Sequence, residues 1–271
     1  MHGRVARLIS DFGLKFTDVR LMQTATQAIL SGSAVPFILG GGSSWSPSDL
    51  DFFTGRDMGH TAVLFFKRTG KYAQRSFSNR YTMSQGIRRI WTLENYQGKK
   101  INVVESLSSN PFDAIVHSHS TSVMGAVTAS GVWHAYPKLT MNSRSLITPT
   151  TVPLKNSIRN HRYIWAMLHK YVDRGFTFHL GELGHVHKCG EDLFCPVTLR
   201  CTSNKGCLFI PFPTWDYASD VKPYRKTCWT LGGTGCRHGD LRGNDDEDMI
   251  SLDEVARWPN FLISLLSLTS V

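Results

Sequence analysis

The pattern of apolar and polar positions in the first half of the chain predicts helices that alternate with short strands. Mostly apolar positions spaced three or four apart predict a helix near 18–30, capped by Thr17. Polar–apolar alternation over 49–53 predicts a half-buried strand. A second helix is predicted at 58–68, where β-branched and aromatic residues leave a strand open as the alternative.

Further apolar runs extend this pattern to about residue 130. The runs 90–93 and 101–104 are predicted to pair as an antiparallel hairpin, because the link between them is short and polar and contains Gly98. Helical stretches are predicted at 110–116 and 121–128. The first half therefore predicts an α/β (α+β) fold, with a small mixed sheet flanked by helices.

The composition of the chain changes near residue 150, and a domain boundary is predicted there. The stretch 146–155 carries two prolines and three threonines, as a linker would. The apolar spacing over 158–172 predicts a strong amphipathic helix, and short apolar runs between Gly, Pro and Cys follow it. We expect two domains: 1–150, and a helix with a loop-rich, Cys-containing module at 151–271.

Charge and composition limit the classes of partner and location. The 271 residues are 41% hydrophobic and carry a net charge of +9, which suits polyphosphate, nucleic acid and anionic surfaces alike. No apolar run approaches the roughly 20 residues of a membrane-spanning helix. Residues 1–9 are basic without an apolar core, which makes them a poor secretory signal. We therefore expect no membrane span and an intracellular location, cytoplasmic or nuclear.

All six cysteines lie in one segment, 189–236. Because nothing in the sequence indicates secretion, reduced thiols or a metal are expected rather than disulfides. The alternative to a metal is that Cys201 and Cys207 are small buried side chains in strands. If Zn²⁺ binds, its predicted ligands are His187, Cys189, Cys195 and one of Cys207 or Cys236.

Basic and aromatic residues are interleaved between 67 and 89. Such a stretch could follow a nucleic-acid backbone, and it could equally be an ordinary solvated face. The residues concerned are Lys67, Arg68, Lys71, Tyr72, Arg75, Phe77, Arg80, Tyr81, Arg88 and Arg89. Nucleic acid is therefore one candidate partner.

The motif with the most chemical content is Ser31-Gly32-Ser33 followed by Asp49-Leu50-Asp51. Residues two apart in a strand face the same side, so Asp49 and Asp51 are expected to present adjacent carboxylates. Close carboxylates repel unless a cation lies between them, and Mg²⁺ prefers such oxygen ligands. A Gly-Ser turn nearby would offer N–H groups and a hydroxyl to phosphate oxygens.

The same residues also have a purely structural interpretation. Asp49 could cap a turn after Pro47, and Asp51 could pair with a nearby arginine such as Arg56. Gly32 would then be no more than the end of the preceding helix. The order of the elements around the two motifs favours the functional interpretation.

That order, helix, small-residue turn, strand with carboxylates, helix and hairpin, resembles the nucleotidyltransferase (polymerase-β-like) superfamily. The superfamily signature is an apolar residue, Gly-Gly/Ser, then a strand with Asp/Glu-x-Asp/Glu, and here it covers about 18–105. The chain is also similar to uncharacterised fungal proteins with a Ser-Gly-Ser…Pro-x-Asp-Leu-Asp core. Four further segments match that broader pattern: 45–52, 101–104, 119–121 and 136–137.

The resemblance implies a Mg²⁺-dependent site for a nucleoside triphosphate, with nucleotidyl transfer to a hydroxyl acceptor. By this resemblance, Gly32 and Ser33 contact the nucleotide phosphates. Asp49 and Asp51 are the catalytic residues that hold Mg²⁺. The acceptor is not indicated by any residue of the motif.

The third carboxylate of the superfamily has no clear counterpart in this chain. The aligned position is Asn102, which is neutral. Glu105 is the alternative, but three residues further along a regular strand it would face the opposite side unless a bulge re-aims it. A competing hypothesis is therefore a non-catalytic binding or interaction protein that keeps the fold and has lost the chemistry.

Overall fold

The computed structural model describes residues 1–40, 44–78, 86–148, 158–180, 188, 190–213 and 226–232. Its helices are α1 (His2–Asp11), α2 (Phe16–Thr26), α3 (Ala34–Gly40), α4 (Gly59–Thr69), α5 (Phe112–Ile115), α6 (Pro137–Met141) and α7 (Ile158–Val172). Its strands are β1 (Ile29–Ser31), β2 (Asp49–Thr54), β3 (Ala73–Ser78), β4 (Ile87–Glu94), β5 (Lys100–Ser106), β6 (Gly125–Val127), β7 (Gly131–His134), β8 (Arg144–Ile147), β9 (Thr177–Leu180), β10 (Arg200–Cys201), β11 (Leu208–Pro211) and β12 (Cys228–Trp229).

A mixed sheet flanked by helices forms the main body of the described chain, as the sequence predicts at this level. The sheet has eight strands in the order β11-β7-β6-β1-β2-β5-β4-β3, which makes it larger than expected. The pair β2–β5 is parallel, and the other pairs in the sheet are antiparallel. Two small additional sheets pair β8 with β9 and β10 with β12.

Several predicted elements are confirmed. Strand β2 alternates half-buried and buried side chains along its length, because one face lies on the core. The segment 58–68 forms helix α4 and not the alternative strand, and Gly70 follows the end of the helix at Thr69. Strands β4 and β5 form the predicted antiparallel hairpin. Helix α7 covers the predicted amphipathic stretch.

The predicted helix at 18–30 has different ends in the structure. It begins at Phe16 rather than after a Thr17 cap, and it ends at Thr26. The Thr26 hydroxyl donates to the Met22 carbonyl and accepts the Ala28 N–H. Gln27 then takes a left-handed conformation, with φ of 55°. This local turn allows Ile29 to enter β1 instead of continuing the helix.

The prediction of a helix at 121–128 is wrong. A single 3₁₀ turn, Thr121–Val123, is followed by the two strands β6 and β7. The Thr121 hydroxyl accepts the N–H of Leu146, which ties this turn to β8. The backbone groups of β6 pair with β1 and β7, so tertiary pairing overrides the local helical pattern.

The largest hydrophobic core lies between helices and one face of the sheet. Its buried members come from α1–α4, and from alternate positions of the central strands. The strand residues include Leu50, Phe52, Leu93, Ile101 and Val103. Because neighbouring strand residues face opposite sides, the positions between them lie on the other face of the sheet. The candidate site lies on that other face.

Strands from both halves of the chain pair with each other across residue 150. Strand β9 pairs with β8, and β11 completes the main sheet beside β7. Leu146 and Ile147, predicted to begin a linker, belong to β8. The division into domains 1–150 and 151–271 stays a prediction.

The expectation of reduced thiols in place of disulfides is wrong for two cysteines. Cys201 and Cys228 form a disulfide, because β10 and β12 pair in a register that sets these residues opposite each other. They are 27 residues apart in sequence, so no local spacing indicates the pairing. Disulfides are typical of oxidising compartments, so the thiol argument no longer supports an intracellular location.

Candidate functional site

A row of polar residues crosses the sheet on the face opposite the largest core. Asp51 on β2 lies opposite Ser31 on β1 and Asn102 on β5. Asn102 in turn lies opposite Thr92 on β4. Residues directly opposite each other on paired strands share a face of the sheet. Four polar side chains from four strands are thereby brought into one line.

Asp49 and Asp51 lie on the same face of β2, as the sequence predicts, and one side chain joins them. The Asn102 amide nitrogen donates to Asp49 Oδ2 at 3.0 Å and to Asp51 Oδ1 at 2.9 Å. The Thr92 hydroxyl donates to Asn102 Oδ1 at 3.0 Å, which fixes the orientation of the amide. The two carboxylates are therefore held close together by a neutral donor.

The small-residue turn after β1 contacts the second carboxylate. Gly32 has φ of +61°, and a Cβ at this position would collide with Asp51 Oδ2 and approach Asp51 Cγ to 3.1 Å. Glycine is therefore required both for the backbone conformation and for the close approach. Ser33 is buried, and its hydroxyl has no hydrogen-bond partner among the residues described. Gly32 thus lies beside Asp51, and Ser33 is the next residue of the same turn.

Helix α7 and the turn that follows it contribute two cations. Lys170 Nζ lies 3.9 Å from Asp49 Oδ1. Beyond the end of the helix, the Arg174 guanidinium stacks 4.1 Å above the centre of the Trp45 ring and 5.2 Å from that of Tyr171. Arg174 Nη1 is buried and, within the described chain, has no hydrogen-bond partner. The carboxylate pair is thus bordered by positive charge on the α7 side.

The electrostatics of the pair reflect this enclosure. Burial, and then the charge of Asp49, raise the pKa of Asp51 to about 6, against the opposing effects of the Asn102 hydrogen bond and of Lys170. Burial, and then the charge of Lys170, lower the pKa of His119 to about 4. At neutral pH His119 is therefore uncharged, and the charged groups of the site are two carboxylates and two cations.

Asp49 has a local contact just after Pro47, because its Oδ1 accepts the Ser48 hydroxyl at 3.2 Å. The other two alternatives, an Asp51–Arg56 pair and Glu105 as the third carboxylate, do not fit the contacts. Arg56 pairs with Asp57 rather than with Asp51. Glu105 is 1% exposed and is not part of the site, because it accepts the Gly59 N–H at the start of α4 and pairs with arginines from β4. These partners place the Glu105 carboxylate on the α4 side of the sheet. No bulge turns it toward Asp49 and Asp51.

The predicted zinc ligands fall partly outside the described residues, which include neither His187 nor Cys189 nor Cys236. Within the described part of the chain, no group of three or more His, Cys, Asp or Glu side chains is arranged to hold a metal ion. Cys207 Sγ instead accepts a hydrogen bond from Arg200 at 3.4 Å. Zinc binding stays an untested prediction.

The basic stretch at 67–89 is largely engaged in contacts within the chain. Arg75 pairs with Glu94, and Arg88 and Arg89 pair with Glu105. Two of its aromatic rings are also used internally: Tyr72 is in the core, and Phe77 packs on Trp91. Arg80 and Tyr81 lie outside the described residues. This surface therefore adds no support for a nucleic-acid partner, which stays a prediction.

Sequence reasoning missed the contributions of Lys170 and Arg174. Both lie more than a hundred residues after Asp51, on and just beyond a helix whose apolar spacing was its only recognised feature. The sequence did contain a signal for a basic surface here, because Lys170 and Arg174 are four residues apart. Two residues at this spacing share one face of a helix where the helix includes both. Nothing in the sequence connects that face with β2.

Comparisons with known proteins leave the chain without a defined family. No protein-family model matches it, and no curated protein and no solved structure is significantly similar to it. None of the helices in the described ranges has both the length and the apolar character needed to cross a lipid bilayer.

Proposed function

We propose that the chain binds a nucleoside triphosphate together with Mg²⁺ at Asp49, Asp51, Gly32 and Ser33. The observation that carries the proposal is the contact between the Gly32 turn and the Asp51 carboxylate. It joins the predicted phosphate-binding turn to the predicted metal ligands in one place. The resemblance to nucleotidyltransferases, which motivated the residue assignment, is part of this proposal.

The donor chemistry of the site fits Mg²⁺. The two carboxylates supply hard oxygen ligands, and both accept hydrogen bonds from the single Asn102 nitrogen, so they are close enough to share one cation. Bound there, Mg²⁺ would neutralise phosphate charge and orient the triphosphate. Mg²⁺ bound there would replace part of the hydrogen bonding between the Asn102 amide and the two carboxylates.

The turn residues support the phosphate end of the proposal. The lack of a side chain at Gly32 lets the Asp51 carboxylate approach the turn, so a phosphate bound at the turn would lie beside a proposed metal ligand. The Ser33 hydroxyl, buried without a partner in the described chain, is a donor for which a phosphate oxygen is a suitable acceptor. A buried hydroxyl that gains such a partner recovers the free energy lost when water was removed from it.

Transfer of the nucleotidyl group to a hydroxyl acceptor is the fuller form of the function. It requires a group that takes the proton of the acceptor hydroxyl, and the neutral amide of Asn102 does not do this. Asp49 and Asp51 are assigned to Mg²⁺ in this proposal, so the transfer experiment decides whether another group of the site takes up that proton.

The second candidate is binding without transfer, and Asn102 favours it. In that case the chain is a nucleotide-dependent interaction protein that retains the site and lacks the chemistry. The two candidates share the binding step and differ in whether labelled nucleotide reaches an acceptor.

Calorimetric titration with the Mg²⁺ complexes of ATP, GTP, CTP and UTP tests the binding step. We expect at least one nucleotide to bind the native protein and the double variant Asp49→Asn/Asp51→Asn to lose at least tenfold in affinity. Asp11→Asn, an exposed aspartate at the end of α1, is the matched control and should bind as the native protein does. Equal affinity in the native protein and the double variant would exclude the proposed site.

Transfer is tested separately with α-labelled nucleotide and a mixture of protein, RNA and small-molecule hydroxyl acceptors. Label in a product that depends on Asp49 and Asp51 establishes transfer. Binding without label in any acceptor favours the second candidate.

A further inference from the structure

The charge of the acidic pair is balanced by cations of the same chain. The ammonium of Lys170 lies 3.9 Å from Asp49 Oδ1, and this lysine side chain is 41% exposed. Burial lowers the pKa of Arg174, whereas Tyr171 and Asp49 raise it, so Arg174 also lies within the field of Asp49. Two carboxylates thus face two cations before any ligand arrives.

The two cations differ in their freedom to move. Arg174 is held by stacking on Trp45 and by its contact with Tyr171. Lys170 contacts Asp49 through a long side chain that is partly exposed, and an ammonium on four methylenes changes position at low energetic cost. Lys170 is therefore the cation that can leave Asp49.

A divalent cation that approaches Asp49 meets Lys170 at close range. Two positive charges at this separation repel, most strongly where the surroundings are partly buried. A metal ion alone would also leave the balanced site with a surplus of two positive charges. A polyphosphate that binds with the metal removes this surplus, and the displaced ammonium remains nearby as a partner for it.

We propose that Lys170 is an internal counter-cation that competes with the divalent cation for Asp49, so that the site binds metal strongly only together with a polyphosphate. This inference rests on the proposed function of the same site. Metal and polyphosphate are then coupled ligands, and by linkage each raises the affinity of the site for the other by the same factor.

The test uses Mg²⁺ alone and inorganic tripolyphosphate in place of a nucleotide. Calorimetry at constant ionic strength gives the Kd of Mg²⁺ alone, then the Kd of tripolyphosphate with and without saturating Mg²⁺. The proteins are the native chain, Lys170→Met, the charge-conserving Lys170→Arg, and Lys67→Met. Lys67 is an exposed lysine of α4 that contacts Gln74 and serves as the matched control.

Lys170→Met is expected to bind Mg²⁺ alone about fivefold more tightly than the native protein, because a competing charge at close range is gone. The same variant is expected to show a smaller enhancement of tripolyphosphate binding by Mg²⁺. Lys170→Arg and Lys67→Met are expected to remain within twofold of the native protein in both measurements. Partial unfolding of the variant would weaken both kinds of binding. It would not give tighter Mg²⁺ binding together with a smaller enhancement of tripolyphosphate binding by Mg²⁺.

The inference is overturned if Lys170→Met binds Mg²⁺ alone no more tightly than the native protein, including the case in which both bind too weakly to detect. If the Asp49→Asn/Asp51→Asn variant nevertheless loses Mg²⁺–nucleotide binding, the proposed function stands and the role of Lys170 alone is wrong. If that double variant binds Mg²⁺–nucleotide as the native protein does, both the site and the inference are wrong.

Discussion

Asn102 lies directly opposite Asp51 across the parallel pair β2–β5, and its amide nitrogen donates to Asp51 Oδ1 at 2.9 Å. The same nitrogen donates to Asp49, so one neutral donor satisfies both carboxylates. A hydrogen bond of this kind reduces the repulsion between two acids without adding charge. Asn102 therefore stabilises the pair in the absence of metal.

The first prediction concerns Asn102→Asp. Without metal, three close carboxylates should destabilise the folded state by about 1–3 kcal/mol, because a donor is replaced by a like charge. With Mg²⁺, the third carboxylate becomes a ligand, so we expect at least tenfold tighter Mg²⁺ binding and recovery of the lost stability. Thermal unfolding and calorimetry, each with and without Mg²⁺, measure both effects.

Asn102→Leu separates the loss of the donor from the gain of an acid. This variant should be destabilised without metal in a similar way, and it should gain no Mg²⁺ affinity. If Asn102→Asp binds Mg²⁺ no better than Asn102→Leu, position 102 does not face the metal.

The second prediction concerns the dependence of stability on pH. The folded protein binds a proton at Asp51 more tightly than the unfolded chain does, because burial and Asp49 raise the pKa of Asp51 from 3.8 to about 6. The stability that this group contributes is fully present below pH 3.8 and is lost as pH rises through about 6. Asp51→Asn should therefore stabilise the protein at pH 7, on the order of 1–3 kcal/mol, and should do little near pH 4.

Urea unfolding at a series of pH values measures the difference between native protein and Asp51→Asn. The exposed Asp11→Asn variant, measured in parallel, is the control for replacing an aspartate by asparagine. If Asp51→Asn raised the free energy of unfolding equally at pH 4 and pH 7, the pKa of Asp51 would not be raised in the folded protein.

The local parts of the site were predictable from the sequence, because each depends on a short-range rule. The period of two in 49–53 places Asp49 and Asp51 on one face of β2, and the hairpin 90–104 pairs the strand of Asn102 with β4. The rejection of Glu105 also follows from strand alternation, since three positions from Asn102 is the opposite face. These rules need no knowledge of distant contacts.

The remaining parts depend on long-range pairing. The Lys170–Asp49 contact requires α7 to pack beside β2, and the Cys201–Cys228 disulfide requires the register of β10 with β12. The prediction of a helix at 121–128 was wrong for the same reason, because the pairing of β6 with β1 and β7 overrides the local helical pattern. Such pairing is decided by the whole fold, so local periodicity carries no signal of it.

The third prediction concerns Gly32→Ala. An alanine there should destabilise the protein by about 1–2 kcal/mol through its left-handed backbone, and further by displacing the Asp51 carboxylate. We therefore expect lower stability together with loss of Mg²⁺–nucleotide binding. Chemical unfolding and calorimetry on the same preparations measure the two effects.

Gly13→Ala is the matched control for the backbone effect. Gly13 has φ of +72°, and the nearest atom to its added Cβ is Asn95 Nδ2 at 3.8 Å, an ordinary contact. This variant should lose a similar amount of stability through its backbone and keep full nucleotide affinity. Equal losses of affinity in both variants would show that the Gly32 turn has no special contact with the ligand.

The fourth prediction concerns the Cys201–Cys228 disulfide. It closes a loop of 27 residues, so loop-closure entropy predicts that Cys201→Ser/Cys228→Ser lowers the free energy of unfolding by about 3–4 kcal/mol. Urea unfolding without reductant measures the loss, and non-reducing peptide mapping should recover the cross-linked pair.

Cys207→Ser is the control, since Cys207 is not part of the disulfide: its Sγ donates to Cys201 O, accepts from Arg200 and packs partly buried on a hydrophobic cluster, and the hydroxyl keeps the hydrogen bonds, so the loss should be about 1 kcal/mol or less. Equal stability of the native protein with and without reductant would contradict the prediction.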